Sequence, residues 1–409
     1  FRPGGREREW CDPEFLRRWR RRTLAKLRGQ VAPVESSALA RFLHSWHTSA
    51  TRLADVVAQL EGLEASFQEL EKSILPARLA NYQPRQLDEM GQMGSLIWVG
   101  RGTLGNRDGR IVLVRRERAN LLLEKPDHSG LEGPHRAIVD HLERRGASFF
   151  MEIRSALREQ FSSQELEEAA EDLIWAGVLS NDTLAPLRNR NTRLTGRWSL
   201  VSHILEGLGQ ATPTQRQFAL VQSLLDRYGI VSREVVALEN LSGGFTPLYP
   251  LLGSMEESGK VRRGYFVEGL SGAQFAWPGA IDQLRQPDET GAVIWGSSDP
   301  ANPYGGLLPW PSNSGRPRRA VGCKVVLVNG ELIFFLDKGM RKILTFPAAQ
   351  NPTLLEQAAR ALRELAGRVK GRCLRIDEID GAPASQSPIC GLLKEQGFRD
   401  DYTGLMVLA

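Results

Sequence analysis

One order of elements, several helices followed by a β-ribbon, occurs three times in the first 288 residues of this chain. Apolar residues recur there at helical spacing, and a β-rich run closes each group. The helices are predicted at 37–47, 52–61, 66–75, 84–93, 134–145, 149–160, 163–176, 213–227, 232–239 and 245–258. The ribbons are predicted at 95–99 with 109–114, at 178–180 with 197–201, and within 260–278. Because helices followed by a β-hairpin are typical of a winged-helix domain, the sequence predicts a tandem array of winged helices.

The pattern changes after residue 288, where strands become the commoner element. We expect strands at 292–295, 320–328, 331–337, 341–345, 372–378 and 405–408, and helices at 352–366 and 388–396. The dipeptide Asn329-Gly330 is a strong signal for a two-residue hairpin turn between two of these strands. Sequential hairpins with two helices favour a small closed or half-open barrel, so the predicted class is α+β.

A chain of 409 residues is too long for one hydrophobic core. The patterns above divide it into five parts. The predicted parts are a basic lead-in helix at 1–33, winged helices at 34–126, 127–205 and 206–288, and a C-terminal β-barrel-like α+β domain at 289–409. The sequence begins with Phe1 rather than Met, so we expect it to be a piece of a longer protein.

Charge is distributed unevenly between the predicted helices and ribbons. The helix at 163–176, which would be the reader helix of the second winged helix, contains five acidic residues and no Lys or Arg. Phosphates on both walls of a major groove would repel it, so we expect the wings to hold nucleic acid. The basic candidates for phosphate contact are Lys260, Arg262, Arg263, Arg188, Arg190, Arg193, Arg197, Arg316, Arg318 and Arg319. The alternative is that these loops are simply exposed and basic.

A loop rich in proline and glycine runs from 299 to 310 and ends in an aromatic residue. The fixed backbone angles of proline make such a loop pre-organised rather than flexible. The loop either presents Asp299, Asn302 and Tyr304 to a ligand or forms a rigid plug that caps the barrel.

The sequence lacks the residue patterns that several kinds of catalysis and ligand binding require. No phosphate-binding loop of the Walker type is present, so we expect no ATP hydrolysis by this chain and no cofactor in it. The four cysteines are far apart and the six histidines are scattered, so neither a metal site nor a disulfide framework is predicted. No Ser/His/Asp arrangement is visible. No apolar run approaches the roughly 18 residues of a membrane helix, and a reducing cytoplasm is expected.

Six short strings within these parts carry a resemblance to a known family: Leu75-Pro-Ala-Arg78, Leu87-Asp-Glu89, Ile97-Trp-Val-Gly100, Arg263-Gly-Tyr-Phe-Val-Glu-Gly269, Gln274-Phe-Ala276 and Asp299-Pro-Ala-Asn-Pro-Tyr-Gly305. From Trp10 onward the chain resembles the C-terminal region of bacterial large helicase-related (Lhr) proteins. The resemblance implies a parent protein whose N-terminal motor, with two RecA-like domains, unwinds DNA·DNA and RNA·DNA duplexes using ATP and Mg. It also implies a C-terminal region of winged helices and a β-barrel, similar to the AlkZ type of crosslink-repair DNA glycosylase and associated with homo-oligomer assembly.

The resemblance also bears on catalysis. AlkZ-type enzymes use a Gln-hydrophobic-Gln pair, whereas the Gln-x-Gln of this chain is Gln215-Arg-Gln217, with arginine in the middle. Some family members have uracil-DNA glycosylase activity and an aspartate near the chain end, for which Asp400 and Asp401 are the nearest equivalents. An aspartate there would activate water for attack on the sugar after the base is flipped out. The alternative is that these are ordinary turn aspartates.

We therefore expect an accessory module of a bacterial DNA-repair helicase, located in the cytoplasm with the nucleoid. It would bind single-stranded or junction DNA through its basic wings and self-associate through its acidic helices, with a tetramer as the candidate homo-oligomer. The first alternative is a monofunctional DNA glycosylase that acts on uracil or a damaged base. The second alternative is an oligomerisation scaffold.

Overall fold

The computed structural model describes residues 32–105, 108–189, 195–286, 290–367, 373–402 and 404–408, with isolated positions between 12 and 23. Two predicted wing residues, Arg190 and Arg193, lie outside the described residues, as does most of the predicted lead-in helix. No helix within the described ranges is long and apolar enough to cross a membrane.

The first winged helix has the predicted order of helices and hairpin. Its helices are α1 (Ser36–Thr48), α2 (Leu53–Gln59), α3 (Phe67–Glu69), which continues as a π-helix at Leu70–Ile74, and α4 (Pro84–Gln92). Its strands are β1 (Ala65–Ser66), β2 (Leu96–Thr103) and β3 (Gly109–Arg115), in the sheet order β1-β3-β2. A 3₁₀ turn at Arg116–Arg118 and α5 (Ala119–Leu122) follow. The Ser66 hydroxyl accepts a hydrogen bond of 3.2 Å from the Glu69 N–H, and this N-cap begins α3.

The second winged helix repeats this order with shorter strands. Its helices are α6 (Gly133–Arg145), α7 (Phe150–Leu157), α8 (Ser163–Trp175), α9 (Ala185–Arg188) and α10 (Val201–Glu206). Its strands are β4 (Ser148–Phe149), β5 (Leu179–Asn181) and β6 (Arg197–Leu200), in the order β4-β6-β5. Ser162 and Glu165 form a capping box at the start of α8, with hydrogen bonds of 2.8 and 3.3 Å. The short helix α9 lies where the sequence predicts a loop.

The third winged helix has the same topology and ends in a further helix. Its helices are α11 (Pro213–Tyr228), α12 (Arg233–Leu238) and α13 (Tyr249–Glu257), with a 3₁₀ turn at Thr246–Leu248, and α14 (Pro278–Leu284) follows the wing. Its strands are β7 (Ile230–Val231), β8 (Arg262–Gly264) and β9 (Gln274–Ala276), in the order β7-β9-β8. In all three sheets the last strand in the chain lies in the middle. The predicted array of winged helices is therefore confirmed.

The C-terminal part contains two sheets and two helices. Its strands are β10 (Ala292–Gly296), β11 (Lys324–Val328), β12 (Glu331–Leu336), β13 (Lys342–Thr345), β14 (Cys373–Ile376), β15 (Glu378–Ile379), β16 (Ala382–Pro383), β17 (Arg399–Asp401) and β18 (Gly404–Leu408). Its helices are α15 (Pro352–Ala366) and α16 (Cys390–Glu395), with 3₁₀ turns at Pro347–Gln350 and Ala384–Gln386. The sheet orders are β10-β11-β12-β13-β15-β16 and β14-β18-β17. The six-stranded sheet ends at β10 and β16 among the described strands, so the predicted closed or half-open barrel is not confirmed. The mixture of helices and sheets fits the predicted α+β class.

The hairpin turn between β11 and β12 has the predicted geometry. Asn329 and Gly330 both have positive φ, of 50° and 85°, as a two-residue hairpin turn requires. Gly330 also faces α1 closely, since an added Cβ would lie 2.1 Å from the carbonyl oxygen of Ser37. The turn therefore connects the C-terminal sheet to the first helix as well as reversing the chain.

The hydrophobic cores extend across the boundaries between the predicted parts of the chain. The first and second winged helices share one core, in which Trp98 and Trp198 meet edge to face at 6.4 Å. A second core combines α1, the third winged helix and one face of the six-stranded sheet. The other face of that sheet packs on α15 and the three-stranded sheet. Helix α1 thus belongs to the first winged helix in chain order but packs with the third.

Candidate nucleic-acid interface

The wing of the third winged helix is a short antiparallel ribbon with cations along one strand. β8 pairs with β9 so that Arg262 lies opposite Ala276 and Arg263 opposite Phe275. Arg262 is exposed, and so is Lys260 just before the strand. None of these three cations pairs with a carboxylate among the residues that the structure describes. Their positive charge is therefore available to an outside anion.

Aromatic rings support two of these cations. The Arg263 guanidinium lies 5.2 Å from the ring centroid of Tyr249 and 5.7 Å from that of Phe275. The Lys260 ammonium lies 5.2 Å from the ring centroid of Phe218. Cation–π contacts of this kind hold a side chain in place without neutralising its charge. The two cations are consequently held in place on the wing with their charge intact.

The side chain of Gln274 fixes the backbone of the same wing. It is completely buried, and its Oε1 accepts hydrogen bonds from the N–H groups of Phe266 at 2.8 Å and Val267 at 3.0 Å. Its Nε2 donates to the Val267 carbonyl at 3.0 Å. Gln274 is therefore a structural residue of the wing. Tyr265, directly before this fixed backbone, remains 61% exposed.

The reader helices of the first two winged helices are closed to a DNA groove. Helix α4 packs against the second winged helix, where Asp88 accepts a hydrogen bond of 2.7 Å from the Leu184 N–H. A Cβ at Gly91 of α4 would lie 2.5 Å from the Asp182 carbonyl oxygen, which shows how closely the two surfaces meet. Helix α8 keeps an exposed face of acidic residues that phosphate would repel.

Two of the predicted basic candidates in the second wing form internal ion pairs. Arg188 lies at the end of α9 rather than in an open loop, and it pairs with Glu71 at 2.7 Å and with Asp88 at 2.6 Å. Only 22% of its side chain is exposed, so Arg188 connects the second winged helix to the first. Arg197 pairs with Asp182 at 3.0 Å and leaves 54% of its side chain exposed.

The predicted loop residue Asp299 lies in a buried ionic contact that we call the junction cluster, formed by His47, Arg78, Trp295 and Asp299. The Arg78 guanidinium donates two hydrogen bonds to the Asp299 carboxylate, of 2.7 and 3.0 Å, and both side chains are almost completely buried. The same guanidinium donates to Nδ1 of His47 at 3.0 Å and lies 5.2 Å from the Trp295 ring centroid. The junction cluster therefore links the first winged helix, α1 and the C-terminal sheet.

The imidazole of His47 is neutral in this environment. Since a guanidinium can only donate, Nδ1 accepts, and the ring proton is on Nε2. Burial, followed by the positive charges of Arg78 and Arg227, holds the pKa of His47 well below its ordinary value. Arg227 is itself buried and pairs with Glu239 at 2.6 Å. Two positive charges near one imidazole make a third positive charge there unfavourable.

The rest of the predicted loop also faces inward. Asn302 is completely buried, and the Tyr304 hydroxyl donates to the Gly330 carbonyl at 2.8 Å. The half-buried Arg319 donates to the carbonyl oxygens of Asn302 at 2.7 Å and Asp299 at 3.1 Å, and burial lowers its pKa. These contacts agree with the rigid-plug alternative rather than with a loop that presents side chains to a ligand. The other two predicted cations nearby are exposed: Arg316 and Arg318.

The two predicted catalytic aspartates lie on the edge strand β17. Asp400 is 61% exposed in its side chain and pairs with Lys394 at 2.9 Å. Asp401 is 18% exposed and pairs with Arg375 at 2.9 Å. Both are strand residues, and each forms an ion pair with a neighbouring cation. No group of three or more His, Cys, Asp or Glu side chains arranged for a metal ion lies within the described ranges.

Sequence reasoning alone did not single out Tyr265, Tyr249 or Arg78 as important side chains. For Tyr265 a signal exists, because an aromatic residue directly beside a run of cations is typical of single-strand binding surfaces. Tyr249 supports Arg263 only through the packing of α13 on the wing. Arg78 gives no local signal, since its partner lies in another domain.

Comparisons with known proteins agree with this architecture. The winged-helix domain family of large helicase-related proteins matches residues 34–116 and 210–295. A protein of Mycolicibacterium smegmatis named "Lhr helicase/ probable uracil glycosylase" is 36% identical over 91% of this chain and 28% of that protein. The "Lhr helicase/uracil glycosylase" of Escherichia coli is 32% identical over 97% of this chain and 30% of that protein. The chain thus spans less than a third of the length of these curated relatives.

A solved structure is similar over most of the chain. The Streptomyces sahachiroi DNA glycosylase AlkZ has a TM-score of 0.50 and 16% identity, and the match covers 83% of this chain and 98% of that chain. At this identity the likeness concerns the fold alone. Together with the winged-helix matches and the two relatives, it confirms the resemblance inferred from the sequence. The chain corresponds to the C-terminal region of the large helicase-related (Lhr) proteins, with an AlkZ-like architecture.

Proposed function

We propose that this chain is a DNA-binding module of a DNA-repair helicase and that it holds the DNA backbone through its third wing. The observation that carries the proposal is the set of cations at Lys260, Arg262 and Arg263, two of them resting on aromatic rings of a rigid ribbon. Phosphate binding depends on such a local positive field more than on the overall net charge of +5. No cofactor takes part in this binding, and ATP and Mg would act in a motor domain.

The proposed binding is independent of base sequence and directed to single strands or junctions. Contacts to phosphate position a protein on DNA without reading its bases. The covered face of α4 and the acidic face of α8 support this mode, because neither can enter a major groove. The remaining basic surface is the narrow ribbon of the third wing, which suits a single DNA strand better than a duplex groove.

The salt dependence of binding tests this proposal. We expect the affinity for a short fluorescein-labelled oligothymidine, measured by fluorescence anisotropy, to fall steeply as salt increases. In the double variant Arg262→Gln/Arg263→Gln the slope of log affinity against log salt should decrease by about 0.7 for each lost phosphate contact. The matched control is Arg360→Gln, an exposed arginine that pairs with Glu356 within α15 at 3.0 Å. An unchanged slope in the double variant would contradict the proposal.

We also propose that the module self-associates through its second winged helix, with a tetramer as the candidate assembly. Phe149 and Met151 leave about half of their side chains exposed, 48% and 49%, at the start of α7, in the same winged helix as the acidic face of α8. An apolar patch beside charged residues is typical of a protein contact surface. Light scattering should show an assembly that dissociates in Met151→Glu. A wild-type monomer at micromolar concentration would contradict this part.

A second candidate function is removal of uracil or a damaged base by a monofunctional glycosylase. It is favoured by the names of the two relatives, which align over 91% and 97% of this chain. The Gln-x-Gln of this chain does not support an AlkZ-type pair. The Gln215 side chain caps α11 by accepting from the Thr212 N–H at 2.9 Å, and Gln217 donates to the Pro247 carbonyl at 2.6 Å. The catalytic candidates thus remain Asp400 and Asp401.

Strand scission after alkali treatment of a uracil-containing oligonucleotide tests the second candidate. If the chain is a glycosylase, abasic sites form and are lost in Asp401→Asn or Asp400→Asn. Asp400→Asn should keep the wild-type melting temperature, because 61% of the Asp400 side chain is exposed. Scission that persists in both variants would exclude these aspartates as catalytic residues. If even the wild type cuts no strand, the glycosylase candidate is wrong and DNA binding remains the proposed function.

A further inference from the structure

We infer that Tyr265 on the third wing is a stacking platform for an unpaired base of single-stranded DNA. This inference rests on the proposed DNA binding and adds a base-contacting residue to what are otherwise backbone contacts. Tyr265 directly follows β8, the strand that contains Arg262 and Arg263, and 61% of its surface is exposed. An aromatic ring held in solvent beside unpaired cations is the combination that single-strand binding surfaces use.

The backbone on the C-terminal side of Tyr265 keeps its ring outside. Phe266 and Val267 are each only 2% exposed. The Phe266 carbonyl accepts a hydrogen bond of 2.8 Å from the Val34 N–H, and Gln274 accepts from both N–H groups. An inward turn of the backbone at Tyr265 would break these buried hydrogen bonds, so the wing holds the backbone in the position in which the ring is exposed.

The residue on the N-terminal side leaves room for a ligand. Gly264 packs directly on the neighbouring ring of Phe266, since an added Cβ would lie 2.6 Å from it. No side chain consequently stands between Arg263 and Tyr265. Residues two apart in an extended chain are separated by about 7 Å, so one nucleotide can place its phosphate at the guanidinium and its base on the phenol.

The surrounding charge favours nucleic acid over a protein partner. Lys260, Arg262 and Arg263 all lie within a few residues of Tyr265, and none is paired with a carboxylate in the described part of the chain. A partner must therefore offer both negative charge and flat apolar faces. Single-stranded DNA has both, whereas a duplex keeps its base faces stacked inside. The surface thus fits an unpaired strand.

Base stacking can be distinguished from backbone binding by comparing two oligonucleotides of equal length and charge, one with bases and one without. We expect the wild-type chain to bind oligothymidine at least about fivefold more tightly than an oligonucleotide made only of abasic sites. Tyr265→Ala should remove this preference and leave the affinity for the abasic strand unchanged. Tyr265→Phe should keep the preference, because the ring remains. The melting temperature of Tyr265→Ala should equal that of the wild type, since the side chain is mostly exposed.

The outcomes distinguish this inference from the proposed function. If Tyr265→Ala keeps the wild-type preference, or if the wild type binds both strands equally, the stacking role is wrong. Backbone binding would still stand in that case, provided that Arg262→Gln/Arg263→Gln weakens binding to both strands. If the wild type binds neither strand, the proposed DNA binding itself is wrong and the inference falls with it.

Discussion

Arginine serves opposite purposes in the junction cluster and in the third wing. Arg78 of the junction cluster and Arg227, whose charge acts on His47 of that cluster, are 5% and 1% exposed, and each pairs with a buried or half-buried carboxylate. Arg262 and Arg263 lie on the third wing without a carboxylate partner among the described residues, and the Arg263 guanidinium contacts two aromatic rings instead. The first pair is neutralised inside the protein and connects domains. The second pair keeps its charge at the surface of the wing.

The difference shows that a count of arginines says little about DNA binding. A buried guanidinium without a partner is strongly unfavourable, so burial forces the presence of a carboxylate. At the surface, solvent screens the charge and no partner is needed. Removing the carboxylate partner of a buried arginine in the junction should therefore reduce stability. Removing a cation of the wing should instead reduce the affinity for DNA. The following predictions test this contrast.

The largest effect is expected for Asp299→Ala. This change leaves Arg78 buried beside His47 without its carboxylate, and breaking such a pair reduces the free energy of unfolding by about 3–5 kcal/mol. Urea unfolding followed by circular dichroism measures the loss. Under conditions in which the variant is folded, its affinity for oligothymidine should equal that of the wild type.

A matched control is the exposed ion pair on α15. Glu356 has 52% of its side chain exposed and pairs with Arg360 at 3.0 Å, so Glu356→Ala should leave the melting temperature almost unchanged. Equal losses in Asp299→Ala and Glu356→Ala would mean that burial does not decide the strength of the ion pair. The contrast between junction and surface would then be lost.

Local patterns predicted the elements of this fold but not how distant elements meet. Helical periodicity, capping residues and the Asn329-Gly330 turn depend on neighbours in the chain, so the three winged helices could be predicted. The pairing of Arg78 with Asp299 joins residues 221 positions apart, and no local pattern reports it. The packing of α1 on the third winged helix and the open six-stranded sheet are long-range features of the same kind. For the candidate site, the cations were visible in the sequence, but which of them had carboxylate partners was not.

An intermediate effect is expected for Arg188→Gln. The sequence places this arginine in a wing, whereas the structure has it between Glu71 and Asp88 at the contact of two winged helices. Burial raises the pKa of Glu71, which shows that this carboxylate depends on its partner. Loss of the partner should reduce the free energy of unfolding by about 1–3 kcal/mol, measured by urea unfolding.

The DNA affinity of Arg188→Gln sharpens the comparison further. Because the guanidinium of Arg188 is occupied by two carboxylates, we expect its removal to leave the salt slope of oligothymidine binding unchanged. Arg262→Gln/Arg263→Gln should show the opposite behaviour, with wild-type stability and a smaller slope. A smaller slope together with wild-type stability in Arg188→Gln would return this arginine to the DNA interface.

The smallest effect is a pH dependence that belongs to the junction and not to the wing. In the unfolded chain His47 binds a proton below its ordinary pKa of 6.5, whereas burial and two arginines hold the folded pKa well below that value. The unfolded state therefore binds more protons below pH 6.5, so the free energy of unfolding should fall by about 1 kcal/mol per pH unit there. Burial raises the pKa of Glu69 and Asp226, which would act in the opposite direction on acidification.

Comparison with His47→Gln isolates the histidine, since the glutamine side chain keeps an acceptor for Arg78 and does not titrate. The variant should lack this fall, while its DNA binding follows the wild type at every pH. Parallel pH profiles of stability for wild type and variant would show that His47 is not the neutral partner of the buried arginines.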